Sequence, residues 1–174
     1  AEMLIDLPAG RVHVKVPQGV HLPPQSTIVL AGILDVGPGE RVLELGCGSG
    51  LLALAALKSG AGRVLATDVD PACLETALGN ARRNGIEKRM AVSAGSWYEA
   101  VSAEEGKNRF DVIIATPPQT PGHRPFGPKY GGEDGTRHLL HVIEKAPNFL
   151  VPKTGRIWIL AISLANPGLL LREL

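Results

Sequence analysis

Short apolar runs alternate with stretches of helical spacing along most of this chain, and that alternation limits the folds open to it. Apolar runs at residues 41–45 and 63–67 are each followed by a candidate helix, at 51–59 and 71–85. Parallel strands need crossover connections of this length, and each crossover lays a helix against the sheet. The pattern therefore predicts a doubly wound α/β fold, with a mostly parallel sheet and helices on both faces.

The rest of the chain continues this pattern. Further strands are predicted at residues 90–94, 110–115 and 156–162, and further helices at 136–150 and from about Asn166. Residues 1–24 alternate apolar and polar side chains and then reach a proline cluster, which predicts a strand or hairpin followed by an irregular arm. Ser26 or Thr27 is expected to cap the next helix. We therefore divide the chain into an N-terminal strand and arm, residues 1–24, and one α/β core, residues 25–174.

The composition argues against several other classes of protein. A formal net charge of +1 gives no global attraction to nucleic acid or to a membrane surface. Cys47 and Cys73 form no C-x-x-C pair, so neither a zinc site nor a disulfide framework is predicted. No apolar run reaches the length of a membrane span. We expect a reduced, cytoplasmic protein with no metal site and no membrane association.

A glycine-rich loop joins the first strand of the predicted sheet to its helix. Residues 42–50 read VLELGCGSG, and glycines at 46, 48 and 50 permit positive φ angles and a close approach of the backbone to a ligand. The dinucleotide fingerprint G-x-G-x-x-G would need its third glycine one position later, where Leu51 stands. Glu44 would repel a phosphate and attract an ammonium group. The loop therefore favours S-adenosylmethionine (AdoMet), which carries an ammonium, a sulfonium and no phosphate, over NAD.

Two aspartates follow the second strand of the sheet, in the segment LATDVDP. Asp68 lies 18 residues after Gly50, about where nucleotide-binding βαβ units place an acidic residue against the ribose hydroxyls. Asp70 is followed by Pro71, a pair that is typical of the start of a helix. We therefore predict that Asp68 binds the ribose and that Asp70 caps the helix.

Together these segments resemble the first two motifs of the class I AdoMet-dependent methyltransferases, and the resemblance extends over residues 24–162. It implies a Rossmann-like sheet, with Glu44 and the glycine loop near the methionine end of AdoMet. The family usually has an acidic residue for the adenine amino group where this chain has Ser96. Trp97 is expected either to lie against the adenine or to pack in the core. The predicted cofactor site, for AdoMet and its product S-adenosylhomocysteine, comprises Glu44, Gly46, Cys47, Gly48, Gly50, Asp68, Val69, Ser96, Trp97 and Thr116.

The fourth strand of the sheet runs into Thr116-Pro117-Pro118-Gln119, which resembles the (N/D/S)-P-P-(Y/F/W) signature of methyltransferases that modify nitrogen in a planar system. Prolines supply carbonyl acceptors without N–H donors, which suits a substrate that presents N–H groups. Two positions depart from the signature. Thr116 replaces an amide acceptor with a hydroxyl, and Gln119 replaces the aromatic platform but could hydrogen-bond the substrate through its own amide. These four residues are the predicted acceptor pocket.

The GGEDG segment at residues 131–135 resembles the G-G-x-D-G segment of HemK/PrmC-type protein-glutamine N5-methyltransferases. That resemblance implies an N-methyltransferase acting on a planar nitrogen, with a protein side-chain amide as the leading acceptor. A methyltransferase of the same fold acting on rRNA, tRNA or a small molecule remains an alternative, as does a non-catalytic AdoMet-binding scaffold or partner subunit. The sequence indicates no oligomeric state.

Two further expectations concern a pair of histidines and the C-terminal strands. His138 and His141 share a predicted helix face with Glu144, which we interpret as a solvated face rather than a metal site. The class I fold normally continues with a helix and two more strands after the fifth strand. We expect these C-terminal strands to be missing because the sequence is incomplete.

Overall fold

The computed structural model describes residues 1–107 and 109–174, which form a two-stranded and a five-stranded sheet. The strands are β1 (Glu2–Leu7), β2 (Gly10–Lys15), β3 (Arg41–Leu45), β4 (Arg63–Asp68), β5 (Met90–Ala94), β6 (Val112–Ala115) and β7 (Arg156–Ile159). The helices are α1 (Gln25–Ile33), α2 (Leu51–Lys58), α3 (Pro71–Arg83), α4 (Ala103–Lys107), α5 (Arg137–Lys145) and α6 (Pro167–Glu173). None of the helices among the described residues has the length and apolar character needed to cross a membrane.

The larger sheet confirms the predicted doubly wound α/β fold. Its strands lie in the order β5-β4-β3-β6-β7, and every neighbouring pair is parallel. The chain moves outward from β3 through β4 to β5, then returns to the other side of β3 to form β6 and β7. The direction of winding reverses between β3 and β6, and open α/β sheets bind ligands at the carboxyl ends of the strands at such a point. The glycine loop leaves β3 there, and the Thr116–Gln119 segment leaves β6 beside it.

The central elements are apolar because both faces of the sheet are covered. All four residues of β6 are buried, as are the last four residues of β3. Strands buried on both faces need continuous rather than alternating apolar residues. Helix α2 is buried along seven of its eight residues, which explains why its sequence, LLALAALK, lacks a polar face. Gly50 starts this helix at φ 80°, and a Cβ there would lie 2.8 Å from the Cβ of Ala77 on α3.

The first two strands form an antiparallel hairpin whose inner valines, Val12 and Val14, are buried in the main core. Asn80 of α3 and Asn84, which caps the end of that helix, hold β2. Asn80 accepts from the Lys15 N–H at 2.8 Å and donates to the Lys15 carbonyl at 3.0 Å, and Asn84 makes the equivalent pair with His13. Asn80 also donates to the Ser49 carbonyl in the glycine loop at 2.9 Å. The hairpin and the glycine loop are therefore fixed by the same helix.

Several predicted element boundaries are wrong. Helix α1 begins at Gln25 with Pro24 as its N-cap and no side-chain cap, so Ser26 and Thr27 lie inside the helix. Helix α5 ends at Lys145 and continues as a 3-10 turn over Ala146–Asn148, because Pro147 has no N–H for a further helical hydrogen bond. Two strands are shorter than predicted: β6 begins at residue 112 and not at 110, and β7 ends at residue 159 and not at 162. The 3-10 turn at residues 97–100 was not predicted.

Candidate active site

A cavity of about 360 Å³ opens at the carboxyl ends of the strands, and we refer to it as the central cavity. The loops after β3, β4, β5 and β6 contribute its walls together with helix α5. It is lined by Leu45, Gly46, Asp68, Val69, Gly95, Ser96, Trp97, Thr116, Pro117, Pro118 and His138. Its volume is in the range of small-molecule binding sites. Six of the ten predicted cofactor residues meet there, although they are dispersed over 71 positions of the sequence from Gly46 to Thr116.

A smaller cavity of about 120 Å³ lies against the glycine loop, and we call it the loop cavity. It brings together three more predicted residues, Glu44, Cys47 and Gly48, and it shares Gly46 and Thr116 with the central cavity. Its remaining lining comes from the N-terminal arm, α1, the glycine loop and the start of α2: His21, Leu22, Pro23, Pro24, Thr27, Ser49, Leu51 and Leu52. The tenth predicted residue, Gly50, is not among the residues that line these cavities, and its close approach to α3 gives it a packing role.

The glycine loop is fastened to the neighbouring strand and left open on its other side. The N–H groups of Gly46 and Cys47 both donate to the Thr67 carbonyl, at 2.9 and 2.8 Å. Gly46 and Gly48 have φ angles of 77° and 50°, a region that favours glycine. A Cβ added to either would meet nothing within 4 Å. The two glycines are therefore needed for the turn itself, and the space beside them is available to a ligand.

Asp68 holds the glycine loop in addition to lining the central cavity. Its Oδ2 accepts from the Gly48 N–H at 2.9 Å, and its Oδ1 accepts from the Asp70 N–H at 3.0 Å. Each carboxylate oxygen can accept a second hydrogen bond, so both retain capacity for a ligand hydroxyl. Asp70 accepts from the Ala72 N–H at 2.9 Å, which confirms it as the helix cap.

Glu44 is a buried carboxyl group, 2% exposed, beside the loop cavity. Its Oε2 accepts from the Ala53 N–H at 3.0 Å, in the first turn of α2, where N–H groups lack helical partners. Burial raises the pKa of Glu44 well above its usual range, and the charge of Asp68 adds to the rise, while the Ala53 N–H opposes it. A cation in the loop cavity would stabilise the ionised form. Burial likewise raises the pKa of the Cys47 thiol, which argues against a nucleophilic role.

The far end of the central cavity is formed by the turn after β5. Trp97 has a φ of 48°, which is unusual for a bulky residue and orients its ring toward α5. The Trp97 and His138 ring centroids are 5.3 Å apart, with the planes tilted by 37°. Val69 is 69% exposed and apolar where it lines the same cavity. The arrangement offers flat and apolar surfaces for a planar group.

His138 is a site residue that the sequence interpretation placed wrongly on a solvated helix face. It is half-buried in the central cavity, and burial lowers its pKa, with Arg137 adding to the effect. His141, three residues later, lines a different surface depression with Tyr98 and Glu99. No group of His, Cys, Asp or Glu side chains in the described part of the chain could hold a metal ion. Both histidines are partly buried beside the turn after β5, so spacing alone could not tell which of them lines the central cavity.

A third cavity, of about 350 Å³, lies beyond the two prolines of the Thr116–Gln119 segment, and we call it the acceptor cavity. Its lining comprises His21, Pro24, Ser26, Thr27, Thr116, Pro117, Pro118, Gln119, Thr120, Pro128, Lys129, Leu160 and Ile162. Pro117 and Pro118 form the wall between this cavity and the central cavity, since they line both. Thr116 lines all three cavities and therefore stands where they meet.

Gln119 is occupied by the backbone around it. The side chain is 7% exposed; its Nε2 donates to the Leu160 carbonyl at 2.8 Å and to the Pro117 carbonyl at 3.2 Å, and its Oε1 accepts from the Ile162 N–H at 2.6 Å. The suggestion that this amide hydrogen-bonds a substrate does not agree with these contacts. Gln119 instead ties the Thr116–Gln119 segment, which we call the acceptor loop, to the chain that leaves β7.

The GGEDG segment packs against the backbone of Gln119. A Cβ on Gly131 would collide with the Cα of Gln119, and a Cβ on Gly135, which has a φ of 81°, would collide with its carbonyl oxygen. Asp134 accepts from the N–H of Thr136 at 3.0 Å and from its hydroxyl at 2.6 Å, and these bonds lower the pKa of Asp134. The segment thus fixes the acceptor loop and sets the start of α5, which carries His138.

Comparison with known proteins shows which family this chain resembles. A family profile described as "Ribosomal protein L11 methyltransferase (PrmA)" matches residues 25–116. A ribosomal protein L11 methyltransferase of Pelotomaculum thermopropionicum is 44% identical over 80 residues, 46% of this chain and 24% of the relative. A release factor glutamine methyltransferase of Bordetella pertussis is 38% identical over 130 residues, 68% of this chain and 46% of the relative. The chain therefore spans less than half the length of these two relatives.

Among solved structures, the ribosomal protein L11 methylase of Lactobacillus delbrueckii subsp. bulgaricus superimposes with a TM-score of 0.63 at 25% identity. The match covers 92% of this chain and 74% of that structure. The profile match spans the glycine loop, Asp68, Trp97 and Thr116, so it includes eight of the eleven residues that line the central cavity, all but Pro117, Pro118 and His138.

Proposed function

The chain belongs to the PrmA family, whose members have the class I AdoMet-dependent methyltransferase fold, and we propose that it transfers a methyl group from AdoMet to a nitrogen of a protein side chain. One observation carries the proposal: the central cavity, with Asp68, joins the loop cavity, with the buried Glu44, at the glycine loop. A ligand with hydroxyls at one end and a cation at the other matches these two carboxyl groups.

The residues present fit AdoMet and not a phosphate-containing cofactor. Asp68 would bind the ribose hydroxyls, Glu44 would favour the methionine ammonium, and Val69, Ser96 and Trp97 would surround the adenine. The two carboxyl groups next to the glycine loop offer the pyrophosphate of NAD no positive charge, and the Asp68 carboxylate repels it. When bound, AdoMet supplies an electrophilic methyl group on a sulfonium and is released as S-adenosylhomocysteine.

We further propose residues 25–174 as the AdoMet-binding core, with residues 1–24 as an arm that completes the site. The end of the arm supplies His21 to the walls of both the loop cavity and the acceptor cavity. The position of this segment is fixed from both sides. Val20 is buried in the core, and the Pro24 carbonyl accepts from the N–H groups of Thr27 and Ile28 at 2.9 and 3.2 Å.

The acceptor nitrogen would be held at Thr116, where the three cavities meet. Methyl transfer from a sulfonium is an in-line displacement that depends chiefly on alignment. The Pro117 carbonyl accepts one hydrogen bond from Gln119 and retains a second lone pair for a substrate N–H. The Thr116 hydroxyl can accept another. Relatives named for release factor glutamine and for ribosomal protein L11 support a protein acceptor, and such acceptors would place the reaction in the cytoplasm.

RNA is the second candidate acceptor because residues 123–129, which follow the Thr116–Gln119 segment, are exposed. His123, Arg124 and Lys129 are exposed there beside Phe126, which is 55% exposed. Cationic side chains next to an exposed aromatic ring can bind a phosphate backbone and stack a base.

The cofactor is tested by calorimetric titration of the protein with AdoMet and, separately, with NAD. We expect AdoMet to bind and NAD not to bind, and a preference for NAD would overturn the proposal. The acceptor is then tested by incubating the protein with methyl-labelled AdoMet and purified ribosomal protein L11, purified release factor, or total RNA. Label that survives RNase and enters protein supports the protein acceptor. RNase-sensitive label supports RNA, and binding without any transfer supports a scaffold.

A further inference from the structure

His138 differs from the other residues of the central cavity in its origin and its chemistry. The other ten lining residues lie on the strand ends and the loops that follow them, whereas His138 lies on α5. Apart from Asp68, it is the only titratable side chain among the described residues that line the cavity. Its half-buried ring lies against Trp97, with ring centroids 5.3 Å apart, and it lines the same cavity as Ser96.

The end of the cavity formed by Ser96 and Trp97 is short of hydrogen-bond acceptors. The Trp97 indole can only donate, and the Ser96 hydroxyl is a weaker acceptor than a carboxylate. Adenine presents an exocyclic amino group, which is a donor. A neutral imidazole has one acceptor nitrogen, so His138 adds a side-chain acceptor at this end of the cavity beside the Ser96 hydroxyl.

The surroundings of His138 favour its neutral form. Burial lowers its pKa below the usual 6.5, and the charges of Arg137 and His141 on the same helix act in the same direction. The backbone of Tyr130 acts in the opposite direction, but burial is the larger effect. The loops after β5 and β6 add no charged side chain to the cavity, and Asp68 is the one carboxylate among its described lining residues.

We propose that His138 recognises the adenine of AdoMet, with its neutral imidazole accepting a hydrogen bond from the exocyclic amino group while Trp97 supports the ring. The inference rests on the proposed function, because it concerns the same cofactor. It explains how a chain with serine at residue 96 selects adenine: the acceptor comes from α5, which the GGEDG segment positions, and not from the end of β5.

The test uses calorimetric titration with two nucleosides, S-adenosylhomocysteine and S-inosylhomocysteine, which has a carbonyl where adenine has its amino group. The unmodified protein is expected to bind S-adenosylhomocysteine about tenfold more tightly, the effect of one hydrogen bond at a partly buried site. His138→Phe keeps a ring against Trp97 but removes the acceptor. This variant is expected to bind S-adenosylhomocysteine about fivefold to tenfold more weakly and to lose the discrimination.

His141→Phe is the matched control, because it makes the same substitution on the same helix but faces a different depression. It is expected to bind both nucleosides as the unmodified protein does. Equal binding of the two nucleosides by the unmodified protein overturns the assignment, whether or not His138→Phe folds. A His138→Phe variant that folds and still discriminates also overturns it, and the cofactor proposal then stands. If neither nucleoside binds the unmodified protein, the proposed function fails together with this inference.

Discussion

The two sides of the site use their polar side chains differently. On the side of β3 and β4, the carboxyl groups of Glu44 and Asp68 each bind neighbouring backbone and also face a cavity. On the side of β6 and β7, the buried amide of Gln119 is occupied by the backbone of Leu160 and Ile162. The cofactor side therefore offers side-chain chemistry to a ligand, and the acceptor side offers backbone carbonyls held in place by a side chain.

Because of this difference, a departure from a family motif has different consequences on the two sides of the site. Gln119, which replaces an aromatic residue, fastens the acceptor loop to the chain after β7, and the cavity then takes its character from Thr116 and the two prolines. Ser96 stands where the family that the chain resembles usually has an acidic residue, and we propose that another element supplies the acceptor there. The following four predictions test this contrast.

Gly135→Ala is expected to have the largest effect. A Cβ there would collide with the Gln119 carbonyl and lie 3.2 Å from Ala165, on a backbone with φ 81°. The free energy of unfolding is expected to fall by about 3 kcal/mol, measured by urea denaturation. Gly79→Ala, inside α3 with nothing within 4 Å of the new Cβ, is the control and is expected to be neutral or stabilising. Equal stabilities of the two variants would show that the loop does not depend on this close approach.

Gln119→Leu tests whether the amide serves the backbone. The variant leaves the Leu160 carbonyl and the Ile162 N–H without their partner, which costs about 2 kcal/mol in the free energy of unfolding. The affinity for S-adenosylhomocysteine is expected to change little, because Gln119 does not line the central cavity. Gln25→Leu, at the exposed start of α1, is the matched control. A Gln119→Leu variant with the same free energy of unfolding as the unmodified protein would mean that the Gln119 amide does not hold the backbone on the acceptor side.

Asp68→Ala is expected to weaken the binding of AdoMet by more than about tenfold, measured by calorimetry. The substitution removes the proposed ribose contacts and releases the Gly48 N–H that holds the glycine loop. Glu75→Ala, an exposed carboxylate on α3, is expected to bind normally. Unchanged affinity in Asp68→Ala would show that a different carboxylate binds the ribose.

Glu44→Gln is expected to stabilise the ligand-free protein and to weaken the binding of AdoMet. The pKa of Glu44 is raised in the folded state, so its protonated form contributes stability that is lost as the pH rises through that pKa. Near pH 8 the melting temperature of the variant is expected to exceed that of the unmodified protein by about 2–4 °C. Its affinity for AdoMet is expected to fall, because the amide cannot neutralise the ammonium. A variant with a lower melting temperature than the unmodified protein at pH 8 would indicate that burying the ionised Glu44 carboxylate costs little free energy.

The sequence alone determined the α/β class, the parallel sheet, the glycine loop, the Asp70 cap and the candidate cofactor residues. These features are local: a continuous apolar run needs cover on both faces wherever it lies, and a glycine turn or a helix cap is formed by residues close together in the chain. Strand β3 was therefore predicted with its observed limits, Arg41–Leu45.

The tertiary structure decided which side chains face the cavities. Gln119 bonds to residues 41 and 43 positions away, because β7 lies beside β6. His138 lines the central cavity against Trp97, while His141 on the same helix lines a different depression beside Tyr98 and Glu99. Hydrophobic periodicity specifies that a helix packs on the sheet, but the cover over each residue comes from distant segments. Short apolar runs therefore predict the scaffold, and long-range packing selects the residues that meet the ligand.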